Sequence, residues 1–518
     1  MIVQVTLILG LAIIWWIRKS SKPAHFPPGP PRYPVLGSYY ATIKPGESKP
    51  NLFWTIRKFA KDYGSVFGFY LSNTPFVVVT EFEDLKEVLK RDELAARGPN
   101  EPGNRFRPGW NTIAKVDPEV NKGRNPGVIG GNGRYWKEQR RFLLRNLRDF
   151  GFGKSSMEES LQDEAQKLIK FLKTKSDKPI DLNRTMNISI VNALWGILVG
   201  ERLELTDPKL LKILTAFDEL LRGNNGNSSL ARLLPFKSMA LWPGFKHWTG
   251  FEAARKVFED LQNFVKPYID EHSSTLDTDN VRDFMDLMLL EVKNCKDPES
   301  SFFGETGHFA LFNNMIDLFI AGMETTSSAL LWTILYMLHY PDIQARVHAE
   351  LDEVVGKDRP PSLDDKPNLH FTNAVLLESF RVTSFVPMSV PHYALADIKL
   401  RDYVIPKGCV VLPSLFHVMY DEKHFANPKT FHPDRFIDES GHFVDDERVI
   451  PFSIGKRYCL GQSLAEKEFF LFFAGLMQQF EFQRVPGAQL PPYSVDEVQV
   501  KGILRSAPPF EVILNERQ

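Results

Sequence analysis

Phe452-Ser453-Ile454-Gly455-Lys456-Arg457-Tyr458-Cys459-Leu460-Gly461 is the stretch on which the reading of this chain turns. Its pattern is F-x-x-G-x-R-x-C-x-G, and a helix-periodic run follows at once. Five fixed positions at average residue usage coincide by chance in about one chain in ten thousand of this length. Cys459 sits where a helix begins, so free backbone N–H groups and the positive helix end favour its anionic form. Gly455 and Gly461 have no Cβ and let the backbone pass close to a flat ligand. Arg457, two residues from the sulfur, is placed to reach a carboxylate on the edge of such a ligand. Phe452 would shield the sulfur from water. A lone cysteine is more often a small buried hydrophobe; the other four motif positions argue for a thiolate ligand.

These positions suit a sulfur held against haem iron. The stretch closely resembles the signature of the cytochrome P-450 superfamily of haem-thiolate monooxygenases, and the resemblance extends over essentially residues 25–518. It implies heme b (iron protoporphyrin IX) with Cys459 as axial metal ligand. It also implies a mainly α (α+β) fold, a large helical domain with small β-sheets.

The composition agrees. The chain has 518 residues, 43% of them hydrophobic, with 40 phenylalanines, enough for one large apolar interior. No repeat or low-complexity linker divides it after residue 45. The expected organisation is an anchor at 1–22, a Pro-rich linker at 23–45 and one catalytic domain at 46–518. Formal net charge is −1, from 63 basic and 64 acidic residues, which leaves no electrostatic footprint for nucleic acid. Cys295, Cys409 and Cys459 lie far apart, so a reducing compartment is expected and a disulfide framework is not.

Ile2 to Ile17 is almost wholly apolar, includes Trp15 and Trp16, and is closed by Arg18, Lys19 and Lys22. It is slightly short of the usual span of about 20 residues, but interfacial tryptophans and flanking residues make a tilted span feasible. The rival is a cleaved signal peptide, which needs a basic start; Met1-Ile2-Val3-Gln4 has none. Basic residues after the run place the remainder in the cytosol. With the resemblance, this implies a single-pass protein of the endoplasmic reticulum membrane. The sequons at Asn183, Asn187 and Asn227 should then carry no glycan.

Pro27-Pro28-Gly29-Pro30-Pro31 reads as a stiff extended spacer. Residues 65–80 read as a hairpin turning near Ser72-Asn73, and Tyr393 to Leu412 as a second strand-rich patch with a turn at Pro406-Lys407-Gly408. Gly98 to Gly133 reads as a long irregular loop, which in the family covers the active site. Arg232 to Trp248 is aromatic with scattered basic residues; dipping into the membrane and ordinary core packing both account for it.

Ala321-Gly322-Met323-Glu324-Thr325-Thr326 lies on a long apolar helix expected over about Leu311 to Tyr340. Ala321 and Gly322 leave room for a flat ligand. A threonine that bonds its own helix and a glutamate on a solvated face are the ordinary reading of Glu324-Thr325. The segment matches the family's A-G-x-[DE]-T, which implies that Thr325 relays protons for O₂ activation and Glu324 resupplies them.

Glu378 and Arg381 form an i,i+3 pair that alone would be worth only a few tenths of a kcal/mol. They match the family's E-x-x-R, and Pro433-Asp434-Arg435-Phe436 matches its P-x-R-F. This implies a buried Glu378–Arg381–Arg435 cluster that locks the segment presenting Cys459. Trp136 and Arg140, one helical turn apart, match W-x-x-x-R, whose side chains bond a haem propionate; His392 matches a further propionate contact.

The chain has no nucleotide-binding glycine motif of its own and needs electrons from outside. Lys137, Arg141, Arg145 and Arg148 share the helix of Trp136 and would steer an acidic partner. The resemblance implies NADPH–cytochrome reductase, with cytochrome b5 as a second candidate donor, and a lipophilic substrate. Phe319, Val386, Pro387, Ile503 and Leu504 are placed in the substrate pocket by analogy, beside Ala321. The rival functions are a haem-thiolate isomerase or dehydratase acting on oxygenated lipids, and a non-catalytic haem protein.

Overall fold

The computed structural model describes residues 21–34, 36–42, 52–98, 127–149, 155–204, 208–221, 251–498, 500 and 504–517. The Ile2–Ile17 run, most of the Gly98–Gly133 loop, the Arg232–Trp248 stretch, the Asn227 sequon and Ile503 lie outside those residues.

Helix α1 (Leu52–Tyr63) leads into the hairpin legible in the sequence. Strand β1 (Val66–Leu71) pairs antiparallel with β2 (Thr74–Val79), Val66 opposite Val79 and Leu71 opposite Thr74. Ser72 in the two-residue turn has φ 54°, the left-handed conformation that suits strand twist. After α2 (Phe82–Leu89) the chain is chiefly helical: α3 (Gly133–Asp149), α4 (Ser155–Lys173), α5 (Asn183–Val199), α6 (Pro208–Leu221), α7 (Phe251–Thr275), α8 (Phe284–Asn294), α9 (Gly304–His339), α10 (Pro341–Val354) and α11 (His370–Thr383). Strands β3 (His392–Tyr393), β4 (Ile398–Leu400), β5 (Tyr403–Ile405) and β6 (Val410–Pro413) follow, then α12 (Leu415–Met419), α13 (Gln462–Gln479), β7 (Phe480–Arg484) and β8 (Val512–Glu516).

The larger sheet has the order β1-β2-β6-β3. β6 lies parallel to β2, and β3 closes the sheet antiparallel with His392 opposite Val411, which fixes the imidazole in space. Side chains alternate across this sheet. Val66, Tyr70, Val77 and Val79 join one cluster, and Phe67, Phe69, Phe76 and Val78 the other.

α9 begins seven residues before the expected Leu311, at Gly304, and is 36 residues long. It is long and apolar enough to cross a membrane, yet most of it is buried in the protein. A helix apolar on every side belongs at the centre of a core. It stops at Tyr340 because Pro341 has no N–H to continue it and instead opens α10. Gly322 lets α9 and α5 approach closely: a Cβ there would lie 2.5 Å from Leu194 Cδ2.

α5, α7 and α8 meet at a buried polar knot. His272 Nε2 lies 2.8 Å from Asp283 Oδ2 and Nδ1 2.8 Å from the Tyr268 carbonyl. Asp283 also caps α8, accepting from the Asp286 N–H at 2.9 Å. Asp286 is held by both arms of Arg282, at 2.6 and 2.7 Å.

Candidate active site

The Cys459 loop is closed by backbone hydrogen bonds. The Cys459 N–H donates to the Phe452 carbonyl at 2.9 Å, and the Tyr458 N–H to Gly455 at 3.3 Å. Gly455 has φ 80°, and a Cβ there would collide with the backbone of Leu89 at the end of α2. Gly455 therefore seats the loop on α2, which corrects the expectation that it faces a flat ligand. Gly461 is the opposite case: nothing stands within 4 Å of where its Cβ would be. α13 starts at Gln462 with Gly461 as its cap, so Cys459 precedes the helix. Burial pushes the thiol up, while the Gly461 N–H and Arg140 pull it down. Phe452 meets Phe380 edge-on at 5.4 Å between ring centroids, and Phe380 packs on Phe469 at 4.5 Å, an aromatic wall beside the loop.

Three guanidiniums, an indole and an imidazole gather next to this loop. Arg457 donates from Nε to Ala95 at 2.6 Å and from Nη2 to Gly131 at 2.5 Å. Arg97 donates from Nη1 to the carbonyls of Val390 and Pro391, at 2.8 and 3.1 Å. Arg140 donates from Nη2 to Tyr458 at 2.7 Å. Their acceptors are neutral carbonyls and amides: among the described residues no carboxylate pairs with any of the three. Burial holds all three below the ordinary arginine range, Arg97 at about 9, and mutual repulsion adds to it for Arg97 and Arg457. Among the described residues, Trp136 Nε1 and His392 Nε2 are buried without partners, although His392 Nδ1 bonds the Leu94 carbonyl at 2.7 Å. Like charges crowd a dry site stably only where an anion joins them. The two carboxylates of haem fit three cations and two orphaned ring nitrogens.

Between Asn313 and Leu338, α9 opens in one place. Ala321 is exposed and Ile320, Gly322 and Thr325 are half-buried, although the helix is otherwise buried on both sides of them. Thr325 Oγ1 donates to the Ala321 carbonyl at 2.8 Å, which leaves its lone pairs for a water. Glu324 is buried and accepts from Asn187 Nδ2 of α5 at 3.4 Å. Asn187 is itself buried, so its sequon has no room for a glycan in the folded chain. Thr326 hydrogen-bonds Glu468 of α13, a carboxyl that burial holds well above its ordinary range.

Glu378, Arg381 and Arg435 come together. Arg381 grips Glu378 with two bonds, Nε to Oε2 at 2.7 Å and Nη2 to Oε1 at 2.8 Å, and both side chains are 0% exposed. Arg435 Nε donates to Glu378 Oε1 at 3.1 Å. The free arm of Arg381 donates to the carbonyls of Met419 and Pro428, at 2.8 and 2.9 Å, and so ties α11 to the segment that leads to Cys459.

A cysteine loop, a buried cluster of cations and one open turn on a buried helix describe a known site. The sequence profile of the family described as Cytochrome P450 matches residues 27–514. The chain belongs to the cytochrome P450 family. It is 35% identical to cytochrome P450 2C23 of Rattus norvegicus, over 100% of this chain and 98% of the relative. Cytochrome P450 2B4 of Oryctolagus cuniculus is 34% identical over 96% of each chain. Cytochrome P450 2J1 of the same animal is 36% identical over 92% of this chain and 90% of the relative. As a cytochrome P450 the chain is an oxidoreductase of the monooxygenase class with a Cys-ligated haem, and P450s of this kind take electrons from NADPH through a separate reductase.

In this P450, Lys137, Arg141 and Arg145 are exposed along α3, while of Arg148 only the backbone is described. Lys456 of the Cys459 loop bonds Asp92 at 2.5 Å, and Lys137 lies 4.0 Å from the same carboxylate. The basic stripe thus reaches the loop, through a lysine at a variable position of the motif that sequence reading passed over. Arg97 was also missed; its one signal is a lone arginine before Gly98-Pro99, at the mouth of the Gly-rich loop.

The pocket assignments divide. Phe319 is 0% exposed and packs against Trp195 and Phe264, 5.4 Å from each ring centroid. It points into the α5–α7 core, a correction to its expected place in the pocket: two residues along a helix is about 200° around it. Val386 is half-buried just past α11, while Pro387 and Leu504 are buried.

Proposed function

We propose that this P450 is a membrane-anchored monooxygenase of the endoplasmic reticulum. It inserts one atom of O₂ into a lipophilic substrate and reduces the other to water. NADPH supplies two electrons through a reductase, with cytochrome b5 as a second donor. Haem, when bound, supplies the redox chemistry, with Cys459 as its thiolate ligand. The carrying observation is the open turn of α9, where an acid and an alcohol sit side by side next to exposed Ala321.

The residues divide the work. Arg97, Arg140, Arg457, Trp136 and His392 bind the haem carboxylates. Thr325, its proton engaged by Ala321, accepts a hydrogen bond from water and holds it at the open turn. Glu324, fixed by Asn187, is the acid next in line. The Lys137–Arg145 stripe and Lys456 steer the acidic donor protein.

The test is isotopic. With NADPH, the reductase and a lipophile panel chosen by spin-state titration, product formed under ¹⁸O₂ should carry one labelled atom. Product formed from an oxygenated lipid without NADPH would assign the isomerase chemistry instead. Charge reversal at Arg141 and Arg145 should slow reduction by the donor protein and leave substrate titrations unchanged.

A further inference from the structure

Residues 127–132 form a turn whose two sides have different partners. Its carbonyls serve the guanidiniums: those of Val128 and Gly131 accept from Arg457 at 3.3 and 2.5 Å, and that of Ile129 from Arg97 Nε at 3.3 Å. Asn132 Oδ1 adds acceptance from the Arg97 N–H at 2.6 Å. Its N–H groups are held by α9. Val128 donates to Asn314 Oδ1 at 3.0 Å, and Ile129 to Asp317 Oδ2 at 2.9 Å.

Asn314 is in turn fixed from behind. Its Nδ2 donates to Gln139 Oε1 of α3 at 2.8 Å, and Gln139 Nε2 donates to the Ser301 carbonyl and hydroxyl, at 3.3 and 2.9 Å. All three residues are 0% exposed. The amide orientations are forced from both ends, because the Val128 N–H can only donate and the Ser301 carbonyl can only accept. Among the described residues, Asn314 and Gln139 bond to this chain of groups and not to a guanidinium.

We propose that Asn314 and Gln139 are positioning residues for haem: they hold the 127–132 turn so that its carbonyls aim Arg97 and Arg457 at the haem carboxylates. The inference rests on reading that cation cluster as the haem edge. Without the Asn314 amide, a buried N–H and a buried acceptor lose their partners, and the turn must move to find others.

The experiment follows haem transfer from the full-length holoenzyme to apomyoglobin by absorbance, alongside the ferric–ferrous midpoint potential. Asn314→Ala and Gln139→Ala should each release haem about 10-fold faster, the usual size of an outer-shell effect. The double variant should be no faster than the worse single, because both act through one strap. Asn314→Asp, which keeps the acceptor for Val128, should fall between parent and Asn314→Ala. The potential should shift in the same order, which loss of general stability does not produce. Parent-like release and potential in both single variants, or full additivity in the double, overturns the proposal. If Asn314→Ala accumulates without haem, Asn314→Asp and Gln139→Ala carry the same comparison. Arg457→Leu tests the underlying reading: parent-like release there refutes the haem edge itself. Rapid release from Arg457→Leu alone refutes only the positioning role.

Discussion

Arg457 sits over Trp136, its guanidinium carbon 3.6 Å from the ring centroid, while the indole Nε1 has no partner among the described residues. One indole thus supplies a π face to a desolvated cation and, on the proposed function, an N–H for the haem edge. These separate by substitution. Trp136→Phe keeps the face and loses the donor, and should weaken haem retention with little change in thermal midpoint. Trp136→Ala should cost about 3–5 kcal/mol as well, from the cavity. Calorimetry together with haem-to-protein ratios checks both; equal haem loss without the stability difference would refute the division.

The Glu378–Arg381 pair is wholly buried, so removing one partner strands a charge at a cost of about 3–5 kcal/mol. Glu378→Ala and Arg381→Ala should accumulate without haem. Arg381→Lys should fail nearly as badly, because a lysine cannot hold Glu378, Met419 and Pro428 together. The reduced carbon monoxide difference spectrum reads this directly, and a haem-loaded alanine variant of parental stability would refute the locking role.

Thr325→Ala removes the hydroxyl proposed to hold water at the open turn, and Thr325→Ser retains it. The alanine variant should lose product formation by about 100-fold while NADPH oxidation continues with peroxide release. The serine variant should stay near the parent. Product per NADPH is the measurement; a fully coupled alanine variant would remove Thr325 from proton delivery.

His272 makes stability pH-dependent. The hydrogen bond to Asp283 raises its pKa above 6.5 against the opposing effect of burial. Both ring nitrogens face acceptors, the Asp283 carboxylate and the Tyr268 carbonyl, so the folded ring carries two protons. Its contribution is therefore fully present below about pH 6.5 and fades as pH rises through the elevated folded value. The groups facing it are Asp283, Asp286 and the repelling Arg282. Urea unfolding of His272→Gln against parent should show a larger deficit at about pH 6 than at about pH 9. An equal deficit at both would mean that the ring is neutral.

The elements differ in how legible they were. The β1–β2 hairpin was plain because its alternation and its turn are local. α9 was recognised as a helix, but its facing was not: a segment apolar on every side carries no amphipathic signal. Phe319, expected in the pocket, belongs to the core, and Gly322 both borders the open turn and lets Leu194 approach.

By itself the sequence determined the P450 class, the Glu378–Arg381 pair and the mainly helical fold. Each is written in contiguous residues, because a loop around one sulfur and one turn of helix are short-range objects. Tertiary structure alone added Arg97 to the cation cluster proposed for the haem edge and showed what holds that cluster. Arg97 and Arg457 are 360 positions apart and meet only because both grip the 127–132 turn. Asn314 and Gln139 hold that turn from two further helices. Burial then made such meetings matter, by stripping water from charges and amides that sequence shows only as ordinary polar residues.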